Sequence, residues 1–173
     1  MSVWEWLEWE RKCSETVVGL DLMLILSTKA VSNVRTSATC PYITDGLTSY
    51  TFYATSETRS ITSHITCNTE NVIYIIQSNR CNLQYIAETK QRLKDRFNEH
   101  RRTVDISNIK SKPTAVSEHF LSHSNRSHTD MPLIPLEKIH SSQDSVRKAR
   151  ESHLIDKAMT LEPHGLNRRD ELL

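Results

Sequence analysis

Apolar residues are spread unevenly along the chain, and from residue 71 they fall into short, separable blocks. Val72-Ile73-Tyr74-Ile75-Ile76 is an unbroken, largely β-branched run, the pattern of a strand covered on both faces. Ser78-Asn79-Arg80 is polar turn material. Leu83-Gln84-Tyr85-Ile86-Ala87 reads as a second short strand, and two strands this close predict a hairpin. A helix is predicted from about Thr89 to Arg102, with Thr89 as N-cap and Leu93 and Phe97 burying together at i, i+4. Arg92, Arg96 and His100 recur at the same spacing and predict a basic row on another side. Pro113 breaks the chain before a short helix around Ala115 to Leu121. Leu133-Ile134-Pro135-Leu136 suggests a third strand, with Pro135 calling for an edge position or a bulge. Ser141 or Ser142 is expected to cap a last helix running to about Met159, Pro163 ends it, and Gly165 supplies a turn. This order predicts an α+β fold: a small, mostly antiparallel three-stranded sheet flanked by helices over residues 71–170.

Upstream the pattern weakens. Residues 3–30 are apolar enough for one amphipathic helix, but no clean stripe emerges. Residues 27–70 are about 40% Ser and Thr with little helical period, which reads as extended chain, short strands or linker. Thr51-Phe52-Tyr53-Ala54-Thr55 and Ser60-Ile61-Thr62-Ser63-His64-Ile65 have strand-like composition. The expected organisation is an N-terminal segment over 1–33, loosely structured, a Ser/Thr-rich connector over 34–70, and a folded unit over 71–170.

Composition narrows the class. The 173 residues are 37% hydrophobic, which is lean for a compact globule and fits a chain with loose parts. Three Gly and five Pro exclude a collagenous or Gly-rich linker protein, and four Cys exclude a dense disulfide scaffold. The most apolar run, Val17 to Leu26, is about half of the ~20 residues a spanning helix needs, so no membrane association is expected. The acidic, aromatic start does not resemble a secretory signal. The expectation is an intracellular protein, the nucleus included, with reduced cysteines, and Asn125-Arg126-Ser127 is not read as a glycosylation site. Residues 1–70 carry a formal charge of about −3 and residues 71–173 about +4, which together give the net +1. The C-terminal part is therefore the better candidate for meeting a polyanion.

Two tyrosines, Tyr74 and Tyr85, on neighbouring strands and followed by a helix with Arg96 and His100, closely resemble the GIY-YIG nuclease domain. The first name-motif stands as Val72-Ile73-Tyr74 and the second as Tyr85-Ile86-Ala87. The likeness continues through Glu88-Thr89, Arg96-Phe97-Asn98-Glu99-His100 and Arg150-Glu151, and ends at Leu161-Glu162-Pro163-His164-Gly165-Leu166-Asn167. Each piece alone is unspecific. A tyrosine on a strand is ordinarily a half-buried aromatic, Arg96 and His100 alone read as a solvated helix face, and Glu151 beside Arg147 and Arg150 reads as a surface pair. The ordered set is what carries the resemblance. Asn71, Lys112-Pro113 with Glu118-His119-Phe120, and the Pro-His-Gly-Leu-Asn tail look like the endonuclease domain that closes the polyprotein of Penelope-like retroelements. No reverse transcriptase is present, so the chain would be a fragment or a descendant of such an element.

The resemblance implies a divalent-metal-dependent endonuclease that hydrolyses DNA, or a weakened, nucleic-acid-binding remnant of the same fold. It implies one Mg²⁺ (or Mn²⁺) held by Glu151, since Mg²⁺ keeps most of its waters and adds a carboxylate and a substrate oxygen. Tyr74 would position or activate water, Arg96 would brace the phosphate, Tyr85 and His100 would orient phosphate, water or metal shell, and Asn167 would hold the site together. No small-molecule cofactor is implied. Two departures stand out. Ala87 occupies the place of a glycine, and a Cβ there would be costly if the backbone needs positive φ or meets another segment closely. The subgroup's zinc site would start from a cysteine pair in the hairpin turn, but here that pair reads Ser78 and Cys81. Cys81, His119 and His128 would be the remains of it, with His123, Cys40 or Cys67 as other candidates. A hydroxyl is a poor zinc ligand, so a structural Zn²⁺ is not expected.

Overall fold

A computed structural model describes residues 40–44, 46–105, 113–122 and 127–171. The helix expected within 3–30 and the loose N-terminal extension lie outside the described residues, as do His123 and Asn125.

The chain has the expected α+β architecture. Strands β3 (Val72–Gln77), β4 (Gln84–Thr89) and β5 (Leu133–Lys138) form an antiparallel sheet in the order β4-β3-β5. A separate hairpin joins β1 (Ser49–Phe52) to β2 (Glu57–Ser60). Three helices complete it: α1 (Leu93–Val104), α2 (Ala115–Leu121) and α3 (Asp144–Ala158).

The central position of β3 explains its unbroken apolar run, because Val72 to Ile76 are all fully buried. Val72, Tyr74 and Ile76 pack with Leu93 and Phe97 of α1 and Val116 and Phe120 of α2. Ile73 and Ile75 pack on the other side with Leu154 and Ile155 of α3 and Phe52 of β1. Pro135 meets both expectations at once. It sits on the outer strand β5, and the register shifts between Ile73 and Tyr74, with Tyr74 opposite Pro135 and Ile73 opposite Glu137.

Several local expectations are corrected. Thr89 does not cap a helix: it pairs with Val72 as the last residue of β4, and Arg92 stands at the N-cap of α1 without a side-chain cap bond. Ladder pairing keeps Thr89 extended, and its hydroxyl instead receives the Gln91 N–H at 3.0 Å. Helix α3 is preceded by Gln143 rather than Ser141 or Ser142. The upstream strands are displaced from 51–55 and 60–65 to 49–52 and 57–60, around a turn in which Ser56 has φ 58°. Helix α2 begins where expected, with reciprocal Thr114 and Ser117 side-chain bonds to each other's backbone N–H at 3.2 and 2.8 Å.

Residues 40–70 contribute to the core. Ile43 and Ile65 lie in the Tyr74-side cluster and Phe52 in the opposite one. The carboxamide of Gln84 ties the hairpin to the sheet, accepting from Tyr53 N at 3.1 Å and donating to Thr51 O at 2.9 Å. The expectation of reduced cysteines fails for two of them. Cys40 and Cys67 form a disulfide with Cα atoms 5.7 Å apart, because the 40–42 turn and the 66–69 turn both pack at α1.

Candidate active site

Tyr74 is the one polar side chain in the buried run of β3, and its hydroxyl is satisfied from α1. His100 Nε2 lies 2.8 Å away, and Arg96 Nε donates to the same oxygen at 3.0 Å. Arg96 and His100 are one helical turn apart, so both reach one point above the sheet. Arg96 is held from its other end by Glu99 at 2.7 Å. Arg96 only donates to the phenol oxygen, whereas the direction of the Tyr74–His100 bond follows the tautomer of the imidazole.

His100 thereby departs from the expected basic row. It is 4% exposed, and burial, reinforced by the Arg96 charge, lowers its pKa to about 3, so it is neutral at physiological pH. Arg92 pairs with Asp95 at 2.7 Å. Burial pushes the Tyr74 phenol up to about 12, and the neighbouring guanidinium offsets only part of that. Tyr85 is raised further, by burial first and then by Tyr74 and Glu171. Its ring packs edge-on to His100 at 6.1 Å, while its hydroxyl lies 3.5 Å from Glu171.

Glu151 reaches this group from α3, around the outer edge of β4. Its Oε1 accepts the Glu88 N–H at 3.1 Å. Burial raises its pKa to about 7, that N–H lowers it in part, and the Glu88 carboxylate raises it again. Its field acts on both Tyr74 and Tyr85, so the carboxyl and the two phenols share one electrostatic environment. Neither Arg147 nor Arg150 pairs with it. Arg147 is buried and binds Glu88, Asn71 and Asp144 at 2.7, 3.1 and 2.6 Å, and Arg150 grips Glu137. The surface-pair interpretation of Glu151 is therefore set aside.

Asn167 occupies the same edge of β4. Its Oδ1 accepts from Ile86 N at 2.9 Å and Thr160 Oγ1 at 2.8 Å, and its Nδ2 donates to Ile86 O at 2.8 Å. Leu166 N donates to Gln84 O at 2.9 Å. The edge groups at residues 84, 86 and 88 are thus taken by the tail and by Glu151, where an open strand edge would expose them. Gly165 makes this possible: a Cβ there would run into the Thr160 backbone. Ala87 lies opposite Tyr74 in regular β4 and is not among the residues with positive φ, so the backbone reason for a glycine there does not apply.

The residues considered for zinc do not gather into one set. Cys81 Sγ and His119 Nε2 are 3.4 Å apart, beside the turn that holds Ser78. His128 binds Asp105 at 3.1 Å and packs edge-on against Tyr42, while Cys40 and Cys67 are committed to each other. Among the described residues, no group of three or more His, Cys, Asp or Glu side chains is placed to hold a metal. A cavity of about 200 Å³, lined in part by Gly46, Ile61, His64 and Pro135, contains none of the expected site residues.

Glu88 and Arg147 were not singled out as site residues. Glu88 sits in the quoted motif beside Ala87, but only the fold shows its backbone serving Glu151 and its carboxylate serving a helix 59 residues away. Among the described residues no helix is long and apolar enough to cross a membrane. Comparison of the chain with protein-family models, with curated proteins and with solved structures finds no match.

Proposed function

We propose that this protein is a divalent-metal-dependent endonuclease of the GIY-YIG kind, derived from a Penelope-like retroelement and hydrolysing DNA phosphodiester bonds. The reading makes DNA its partner and an intracellular compartment, the nucleus included, its place of action. The observation that carries it is the meeting of Tyr74, Tyr85, Arg96 and His100 on one side of the sheet, with Glu151 brought to the adjoining strand edge from a helix about 60 residues further on.

Each residue has work that its surroundings permit. Arg96 is about one-third exposed at the side chain, so its guanidinium can meet a phosphate while Tyr74 and Glu99 hold its orientation. Tyr74 keeps its proton at neutral pH and is hydrogen-bonded to neutral His100, so in this arrangement it orients Arg96 and His100 and does not act as a base. Glu151 suits Mg²⁺ or Mn²⁺: it is partly desolvated, and its hydrogen-bond partner is a backbone N–H rather than a guanidinium or ammonium group. The chemistry such an ion supplies when bound is neutralisation of the scissile phosphate and acidification of water. Asn167 and Thr160 keep β4 in register so that Tyr85 and the Glu88 N–H stay in place. Two possible zinc residues, Cys81 and His119, have no part in this scheme.

The test is incubation of supercoiled plasmid with Mg²⁺ and either the native protein or Glu151→Ala. Native protein should nick the plasmid, and the variant should lose at least about 100-fold in initial rate. Equal nicking by both, or by neither, removes the enzyme reading. The complete burial of Tyr74 favours one second reading, a fold that binds nucleic acid without cutting it. Salt-sensitive DNA binding with no Mg²⁺-dependent nicking would select it.

A further inference from the structure

Helix α1 carries Arg96 and His100, yet its first turn is not capped by its own residues. Its opening amides are held from outside: Leu93 N donates to Thr69 O at 3.1 Å, and Lys94 N donates to Cys67 O at 2.9 Å. Both carbonyls belong to the 66–69 turn, which closes on itself through Thr69 N to Thr66 O at 3.0 Å and Thr66 N to Thr69 Oγ1 at 2.9 Å. The Cys40–Cys67 disulfide ties this turn to the 40–42 turn. There Tyr42 stacks on Phe97, with ring centroids 5.7 Å apart and planes 14° from parallel. Phe97 adjoins Arg96 in the chain. One covalent link therefore joins two separate holds on the same helix, one at its N-terminal amides and one on its buried face.

We propose that Cys40 and Cys67 form a redox clip that sets the order of α1 and, through it, of Arg96 and His100. A dithiol reductant opens the clip. Its thiolate attacks one sulfur to give a mixed disulfide, and its second thiol then displaces the remaining cysteine. The reductant leaves as a cyclic disulfide, two electrons pass to the protein, and Cys40 and Cys67 each end as a thiol. Opening releases the 66–69 turn from the 40–42 turn, so the capping carbonyls and the Tyr42 ring no longer act as one body. In a reducing intracellular compartment a disulfide is more often a transient, responsive bond than a permanent staple. The clip rests on the nuclease reading for what it controls and for the compartment it works in. Its effect on α1 is independent of whether the site cuts DNA.

The experiment is native-state hydrogen exchange on the intact chain, with and without dithiothreitol, followed by reoxidation. Reduction should speed exchange of the Leu93 and Lys94 amides by about tenfold or more through local opening, ahead of any change at Ile75 in β3. Reoxidation should reverse it. A staple that acts only on the unfolded chain would instead speed the globally protected β3 amides and leave the first turn of α1 to follow them, and that result overturns the clip. Failure of excess dithiothreitol to open the bond in the folded protein overturns it as well. Tyr42→Leu keeps the disulfide but removes the ring stack, so it should loosen Leu93 and Lys94 in the oxidised state, and no change there would also count against the clip. Plasmid nicking is followed in parallel. If no redox form nicks, the nuclease reading fails while the exchange result still decides the clip.

Discussion

The two faces of β3 are built from alternate residues of one run, yet they carry different chemistry. The Ile73 and Ile75 face is apolar throughout its centre, closed by Phe52, Leu154 and Ile155, with the Arg147 ion pairs beside it. The Val72, Tyr74 and Ile76 face is just as buried, but one phenol stands in it, and α1 answers with Arg96 and His100. Burying a hydroxyl without a partner costs about 1–3 kcal/mol, so the polar partners on α1 are what make Tyr74 tolerable in the core. A single oxygen thus separates a face of apolar packing from a face with a buried hydrogen-bonded cluster. The two faces meet at the outer edge of β4, where Glu151 comes across from α3.

The largest expected effect tests whether the faces are independent. Ile75→Ala should lower stability by about 2–5 kcal/mol through lost burial and a residual cavity. The imidazole signals of His100 should stay unchanged in the folded protein at moderate temperature. Denaturant unfolding and histidine NMR measure both, and a shifted His100 would mean that the sheet transmits strain between its faces.

The next concerns protons. His100 falls to about 3 in the fold against an ordinary 6.5, so its contribution is present above pH 6.5 and is lost as pH falls toward 3. Glu151 rises to about 7 from an ordinary 4.5, so its contribution is present below pH 4.5 and is lost as pH rises through 7. Between pH 4.5 and 6.5 the two slopes oppose each other. Glu151→Gln should uncover a loss of about 2 kcal/mol on acidification from pH 6.5 to 5, read by urea unfolding. His100→Gln, which keeps a hydrogen-bonding group for Tyr74, should give the opposite slope but a shallower one, because the Glu151 carboxyl is partly solvated. Parallel profiles in both variants would mean that the two groups do not titrate as their surroundings indicate.

The smallest effect lies at Ala87. Ala87→Gly removes a buried methyl from a regular strand and adds unfolded-state freedom, so stability should fall by about 1 kcal/mol. No positive φ is relieved, so nicking by native and variant protein should agree within about twofold. A large gain in rate would show that the Ala87 Cβ crowds the Tyr74 face after all.

Where local pattern sufficed, sequence and fold agree. The β3 run, the hairpin to β4, the short helix α2 and the dual role of Pro135 were legible because sheet pairing and proline geometry act over a few residues. The strand ends were less so, since Thr89 looks like a helix cap until its pairing with Val72 is known. The place of His100 in a basic row fails for a related reason. Periodicity places it beside Arg96, but only the packing of α1 on Tyr74 makes it buried and neutral.

By itself, the sequence determined the α+β order and the burial of the central strand, both of which depend on neighbours along the chain. Tertiary structure alone decided that Glu151 leans on Glu88, that Asn167 closes the edge of β4, that Arg147 is buried, and that Cys40 meets Cys67 across 27 residues. These contacts join segments whose separation leaves no periodic trace. Their energies come from desolvation and from hydrogen bonds between groups that become neighbours only once the two faces of the sheet are packed.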